Sequence, residues 1–124
     1  MIVLLDTNFL LLPKQHKIDI FSEIQRLVPE KHTLATLSPV VEELHHLAGT
    51  RTEDMVAAKV ALQMLEQNGV EIIPADKEAD EAIIEYAAAN PTLVATNDKD
   101  LKRRLKKTVQ GIIHMRGKNH LERI

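Results

Sequence analysis

Four carboxylates in this chain stand where a purely structural role leaves them unexplained. Residues 3–10 read VLLDTNFL, an apolar run that ends on Asp6, and VATND closes a second apolar run on Asp98. A buried strand gains nothing evident from an acid at its end. The other two are out of place by helical phase. Val40, Glu43, Leu44 and Leu47 follow the i, i+3, i+4, i+7 rule, so Glu43 falls on the apolar face while Glu42 is turned about 100° away. Asp80 likewise shares a face with Ile83, Ile84 and Ala87, opposite Glu78, Glu81 and Glu85. A buried, unpaired carboxylate costs several kcal/mol, and a single one is ordinarily a boundary position that reaches water. Four converging on one cleft repel one another unless a divalent cation is present. Oxygen donors of this kind suit Mg²⁺ or Mn²⁺, which prefer octahedral geometry and retain several waters. Zinc has no comparable set: there is no cysteine, His45 and His46 are adjacent and face different ways, and no HExxH pattern occurs.

Neighbouring residues allow more than one role. Asp98 and Asp100 fall in the first turn of a helix, where the dipole favours negative charge, and Asp100 is also a candidate additional metal ligand. Asn97 fits as that helix's N-cap. Asn8 is either a turn residue or a support for the Asp6 loop. The Thr96 hydroxyl would orient a metal-bound water or satisfy a strand-end backbone group. Immediately beyond lies KDLKRRLKK, residues 99–107. Its Leu101 and Leu105 pack inward, which leaves Lys99, Lys102, Arg103 and Lys106 exposed, either simply solvated or available to phosphates. With Phe9, Phe21 and Tyr86 as the whole aromatic complement, base stacking is not the main mode of binding.

The elements that must position these groups alternate between short apolar runs and helical patterns. Strands are expected at Ile2–Leu5, Thr33–Leu37, Val70–Ile73, Leu93–Ala95 and Gly111–Met115. Helices are expected near Ile18–Val28, ended by Pro29; from Ser38 as N-cap to Gly49; from a Thr50/Glu53 capping box to about Asn68; from Asp76 as cap to Ala89; and over Asp98–Lys107. Such alternation implies right-handed β-α-β units, hence an α/β Rossmann-like three-layer sandwich around a central parallel sheet of about five strands, as one domain over 1–124. In these sheets ligands bind outside the carboxyl ends of the strands, which is where Asp6 and Asp98 fall.

Composition bounds the class. Apolar residues make up 44% and charged residues 27% of 124 residues, the balance of a globular domain with one core. No run approaches the roughly 18 apolar residues of a membrane span, no signal peptide is expected, and the lack of cysteine fits a reducing, cytoplasmic setting. The net charge of −2 conceals a split. Residues 1–98 hold 16 acids and 7 Lys/Arg, whereas residues 99–124 hold 2 acids and 9 Lys/Arg. An acidic body beside a basic segment is the pattern of a site that needs negative charge next to a surface that receives polyanions, or else of uneven surface decoration.

With these residues in place the chain resembles PIN-domain proteins. The matching stretches are DTNFL at 6–10, VVEEL at 40–44, ADEAI at 79–83 and VATNDKDLKRRL at 94–105, spanning nearly the whole chain. The first and last, with EELHHLAG after the second strand, are most similar to the archaeal and eukaryotic rRNA-processing branch. The resemblance implies a metal-dependent endoribonuclease: Asp6, Glu43, Asp80 and Asp98 as the acidic core holding Mg²⁺ or Mn²⁺, Asp100 as an additional acid, and single-stranded or structured RNA as substrate. It also implies ribosome-assembly partners, or, since a bare domain is the form of the PIN toxins, an antitoxin; the helices over 39–68 would face a second copy in a homodimer. All four core positions hold acids. A non-catalytic RNA- or protein-binding module of the same fold would be marked by the loss of one. Phosphotransfer folds also place an Asp after their first strand. A dehalogenase-type phosphatase, however, needs a second Asp where this chain has Asn8, and for a receiver's phospho-acceptor Asp76 lies too far past VEIIP.

Overall fold

The computed structural model describes all 124 residues. Its first strand, β1 (Ile2–Leu5), lies in the middle of the sheet with parallel neighbours on both sides, and Val3, Leu4 and Leu5 are fully buried. That environment accounts for its unbroken apolar run, since a central parallel strand has no solvent face. Two short helices follow, α1 (Thr7–Leu10) and α2 (Leu12–His16), then α3 (Ile20–Leu27), β2 (Thr33–Leu37), α4 (Ser38–Ala48), α5 (Asp54–Gln67) and β3 (Glu71–Ile73). The second half holds α6 (Ala79–Ala89), β4 (Thr92–Ala95), α7 (Lys99–Leu105), β5 (Gly111–Arg116) and β6 (His120–Arg123).

The sheet order is β3-β2-β1-β4-β5-β6, parallel except for β6. Succession runs outward from β1 through β2 to β3, then from β4 through β5 in the opposite direction. With right-handed crossovers the two halves carry their helices on opposite faces, giving the three-layer α/β architecture. The reversal falls between β1 and β4, and a crevice opens at their carboxyl ends. One cluster of 32 buried apolar residues runs through both faces, with Phe9, Leu44, Ile83, Leu101 and Leu105 joining helices to sheet.

Several local expectations are corrected. The five expected parallel strands are present, and a sixth is added: the basic C-terminal segment doubles back as β6, antiparallel to β5, through a turn at Gly117 whose φ of 71° suits glycine. Arg123 bonds Glu30 through both guanidinium nitrogens at 2.8 and 2.7 Å, which ties that edge strand to the loop after α3. Residues 7–16 form α1 and α2. Ser38 lies inside α4 rather than capping it; its hydroxyl instead accepts from the Ala75 N–H and donates to the Ala75 carbonyl. Thr50 bonds Leu47 and Thr52 and caps nothing, and α5 starts at Asp54 without a side-chain cap. Helix α6 starts at Ala79 behind Glu78, so Asp76 lies outside it. For Ser38 and Thr50 a local cap was available, and a tertiary contact or a turn took its place.

Candidate active site

Asp6 leaves β1 with extended backbone, and its N–H donates to the Ala95 carbonyl of β4 at 3.0 Å. The residue is buried at 3% exposure, yet no Lys or Arg is paired with it. Neutral donors hold it instead. The Thr7 N–H donates to Oδ1 at 2.8 Å; the Thr96 hydroxyl and the Asn8 amide donate to Oδ2 at 2.7 and 3.0 Å. Asp6 therefore does have a structural role at its strand end, as the N-cap of α1. Asn8 and Thr96 support the loop as expected. Asn8 Oδ1 accepts from the Asn97 N–H at 2.8 Å, and the Thr96 hydroxyl oxygen accepts from the Asp98 N–H at 3.1 Å. The loops after β1 and β4 are thus stitched into one unit.

Glu43 is exposed rather than buried on the apolar face of α4, because α4 meets the sheet at its edge and the residue overhangs the crevice. It is nonetheless directed inward, its Oε2 accepting from the Thr7 hydroxyl at 2.6 Å. Thr7 was not singled out by sequence reasoning. The signal was available as a hydroxyl between two site residues, in DTN. Asp80 is half-buried in the first turn of α6. Asp98, not Asn97, is the N-cap of α7: its Oδ1 accepts from the N–H groups of Asp100 and Leu101 at 2.9 and 3.1 Å, while Asn97 Oδ1 accepts from the Met115 N–H of β5 at 2.7 Å. Asp100 is exposed and its carboxylate is turned to Arg103.

Burial pushes the Asp6 carboxyl above its ordinary value, opposed by the Thr96 and Thr7 hydrogen bonds and reinforced by the charges of Asp80 and Glu43. Asp80 is also raised, by burial and then by Asp98 and Glu43. The acids expected from four separate elements therefore feel one another electrostatically. No three His, Asp or Glu side chains stand close enough to enclose an ion directly. The donor set is all hard oxygen, buried or half-buried at Asp6, Asp80 and Asp98 and without a protein cation at its centre. This fits Mg²⁺ or Mn²⁺, which keep waters between themselves and much of a protein site.

The flanks differ in sign. A cleft of about 870 Å³ between α4 and α6 is lined by Glu42, Glu43, Asp76, Glu78 and Asp80, with Lys77 and His46. On the other side stands α7. Lys99, Arg103 and Lys106 are exposed as expected, but Lys102 is half-buried, its ammonium donating to His114 Nδ1 of β5 at 2.9 Å. Arg103 is paired with Asp100 and Arg104 with Glu81, so part of this helix's positive charge is already matched.

Residues 3–118 match the family described as PIN like domain. The chain is 36% identical over 94% of its length to Ribonuclease VapC4 of Methanocaldococcus jannaschii, covering 92% of that protein. It is 30% identical over 98% of its length to the rRNA-processing protein fcf1 of Schizosaccharomyces pombe, of which it spans 62%. Among solved structures, that of the PIN domain endonuclease Utp24 is similar with a TM-score of 0.80 at 27% identity, covering 98% of this chain and 90% of that one. VapBC2 of Rickettsia felis shares the fold, with a TM-score of 0.64 at 18% identity.

Proposed function

The chain belongs to the PIN-like domain family, and on that premise we propose that it is a metal-dependent endoribonuclease whose site is built from Asp6, Glu43, Asp80 and Asp98. The observation that carries this reading is Asp6: a buried carboxylate at the topological switch point, fixed by three neutral donors, left without a protein cation and raised in pKa by burial and, to a smaller extent, by its acidic neighbours. Such a group is unfavourable on its own and becomes favourable once a cation is added. Mg²⁺ or Mn²⁺, when bound, lowers the pKa of a coordinated water and stabilises charge on the phosphate and leaving oxygens.

The chain's own residues then divide the work. Asp6 and Asp98 would hold the cation directly, because each is anchored by hydrogen bonds that leave lone pairs for it; Asp98 keeps Oδ2 free of the α7 cap. Glu43 and Asp80 bind directly or through water from the α4 and α6 side. Thr7, Asn8 and Thr96 hold these acids in place, so little reorganisation is needed when substrate arrives. Lys99, Lys102, Arg103 and Lys106 draw the RNA backbone along α7, and the acidic cleft on the opposite flank repels it. The strand therefore lies over β4 and α7, not over α4.

Similarity to fcf1 and to Utp24 favours a role in rRNA processing, with ribosome-assembly partners. Similarity to VapC4 over 92% of its length favours a second reading, the toxin of a toxin–antitoxin pair, with the same chemistry and an antitoxin as partner. The experiment is cleavage of a panel of single-stranded and structured RNAs in Mn²⁺, Mg²⁺ or EDTA by wild type and Asp98→Asn. Asparagine can still cap α7, so the variant folds; cuts that require metal and vanish in the variant are expected. RNA bound alike by both proteins and cut by neither would make this a binding module.

A further inference from the structure

Lysines and arginines of residues 99–124 are held differently. All four arginines there have a carboxylate partner: Arg103 with Asp100, Arg104 with Glu81, Arg116 with Glu122 and Arg123 with Glu30. Among the lysines of that segment, Lys102 alone is tied to a side chain, and that side chain is an imidazole. An ammonium has three donors and no acceptor, so the ring nitrogen it meets at 2.9 Å, His114 Nδ1, offers a lone pair. The proton of the neutral ring is then on Nε2, which donates to Glu122 Oε1 at 2.8 Å. Glu122 is steadied in turn by Arg116 at 3.4 Å. The chain Arg116–Glu122–His114–Lys102 thus fixes one tautomer, one ring orientation and one ammonium position. Lys102 is held in place without being neutralised, and its ammonium keeps two N–H donors beyond the one His114 accepts.

The cluster sits beside the catalytic loop. The Lys102 N–H donates to the Asp98 carbonyl at 2.9 Å, which puts the residue one helical turn from that ligand. On β5, His114 lies between Ile113, whose carbonyl accepts from the Thr96 N–H at 3.0 Å, and Met115, whose N–H donates to Asn97 at 2.7 Å. The strand that carries His114 is therefore bonded on both sides of it to the loop that carries Asp98.

We propose that His114 is a positioning residue that aims the Lys102 ammonium at a phosphate of the RNA strand next to the Asp98 loop. The proposal rests on the nuclease reading and deepens it, by assigning one built phosphate contact within an otherwise diffuse basic face. It requires that His114 act through Lys102, so truncating either should remove the same contact.

The test is a double-mutant cycle read by fluorescence anisotropy. The probe is a fluorescein-labelled single-stranded oligoribonucleotide of mixed sequence, with Ca²⁺ replacing Mn²⁺ and NaCl varied. Lys102→Ala and His114→Leu should each weaken binding about three- to tenfold and lower the slope of log Kd against log salt by about 0.7, the share of one phosphate on a single strand. The double variant should be no weaker than either single one. His114→Asn, whose side-chain carbonyl can still accept from Lys102, should stay within about twofold of wild type. Binding by His114→Leu equal to wild type, or losses that add in full in the double variant, would overturn the inference and leave the nuclease reading intact. Should the leucine variant fail to fold, a loss in His114→Asn as large as in Lys102→Ala would overturn it instead. Wild-type protein that neither binds this RNA nor cuts RNA in Mn²⁺ sinks both.

Discussion

At the carboxyl edge of β1 and β4, acids are held by neutral groups: Thr96, Asn8 and the Thr7 N–H hold Asp6, and the Thr7 hydroxyl holds Glu43. Around the C-terminal edge strand, acids are held by cations: Glu30 by Arg123 and Glu122 by Arg116, with His114 adding a hydrogen bond to Glu122. Burial raises the Asp6 carboxyl, whereas the Arg123 guanidinium beside Glu30 holds that carboxyl at about 2. Cation-paired acids add to the stability of the fold wherever they are ionised. A buried acid held by neutral donors alone, as Asp6 is, is fixed in direction but keeps its charge uncompensated; its desolvation detracts from stability and leaves a field for something else to meet. A hydrogen bond from a neutral donor orients a carboxylate without using up its charge. That difference separates a site from a staple.

The sharpest way to break this contrast is Asp6→Asn. Cleavage should fall at least about a hundredfold, as for loss of a metal ligand. The metal-free protein should melt at neutral pH no lower than wild type, because a raised carboxyl loses its desolvation cost on becoming an amide. A large drop in melting temperature in EDTA would mean that the α1 cap and the Thr96 and Asn8 bonds outweigh the desolvation of Asp6.

Thr96→Val removes the donor to Asp6 Oδ2 and the acceptor for the Asp98 N–H together. Activity should fall about 10- to 100-fold, as for a group that orients a ligand, and stability by about 1–3 kcal/mol for the unsatisfied partners left behind. Urea unfolding in EDTA and cleavage rates in Mn²⁺ give the two numbers separately.

The two regions should also respond to pH with opposite sign. Asp6 binds its proton more tightly folded than unfolded, so the stability it contributes is full below its ordinary value of 3.8 and is lost as pH rises through the raised one. Glu30 is the reverse: its contribution is full above 4.5 and is lost as pH falls towards about 2. Unfolding midpoints across acid pH in EDTA should show a shallower decline towards neutrality in Asp6→Asn and a shallower loss at low pH in Glu30→Gln. Slopes of the same sign for both would erase the distinction.

The smallest effect is expected at Arg116→Gln. That arginine is 75% exposed and its pair with Glu122 spans 3.4 Å, so stability should change by less than about 0.5 kcal/mol. A larger loss would show that the β5–β6 hairpin depends on its surface ion pairs more than exposure allows.

Much of this was legible before any coordinates. Residues 2–5, 33–37 and 93–95 read as strands from short, mostly apolar runs, and all three lie in the sheet, where the buried Thr36 hydroxyl donates to the Leu5 carbonyl. Helical phase singled out Glu43 over Glu42, and Glu43 is the one that accepts from Thr7, although it is exposed rather than buried. Caps were the weakest reading. Ser38, Thr50 and Asp76 each matched a local rule, but Ser38 turns to Ala75, 37 residues away, Thr50 closes a turn with Leu47 and Thr52, and α6 starts three residues beyond Asp76. The β6 strand was missed because its four residues, HLER, put one apolar side chain, Leu121, among three polar ones, and a short edge strand needs no more. Thr7 was missed because a hydroxyl gains its role from its partner, and that partner is 36 residues away.

By itself, the sequence determined the alternation of strands and helices, the family, and that Asp6 and Asp98 follow the ends of buried strands. Periodicity and burial are local properties, and each residue carries its own hydrophobicity. Only the tertiary structure decided that Asp6 is held by Thr96, 90 residues away, that Glu43 turns to Thr7, and that Lys102 meets His114 rather than an acid. Those choices depend on which side chains the reversal of strand order at β1 and β4 brings within about 3 Å of one another, and hydrogen-bond geometry at that range is set by packing alone.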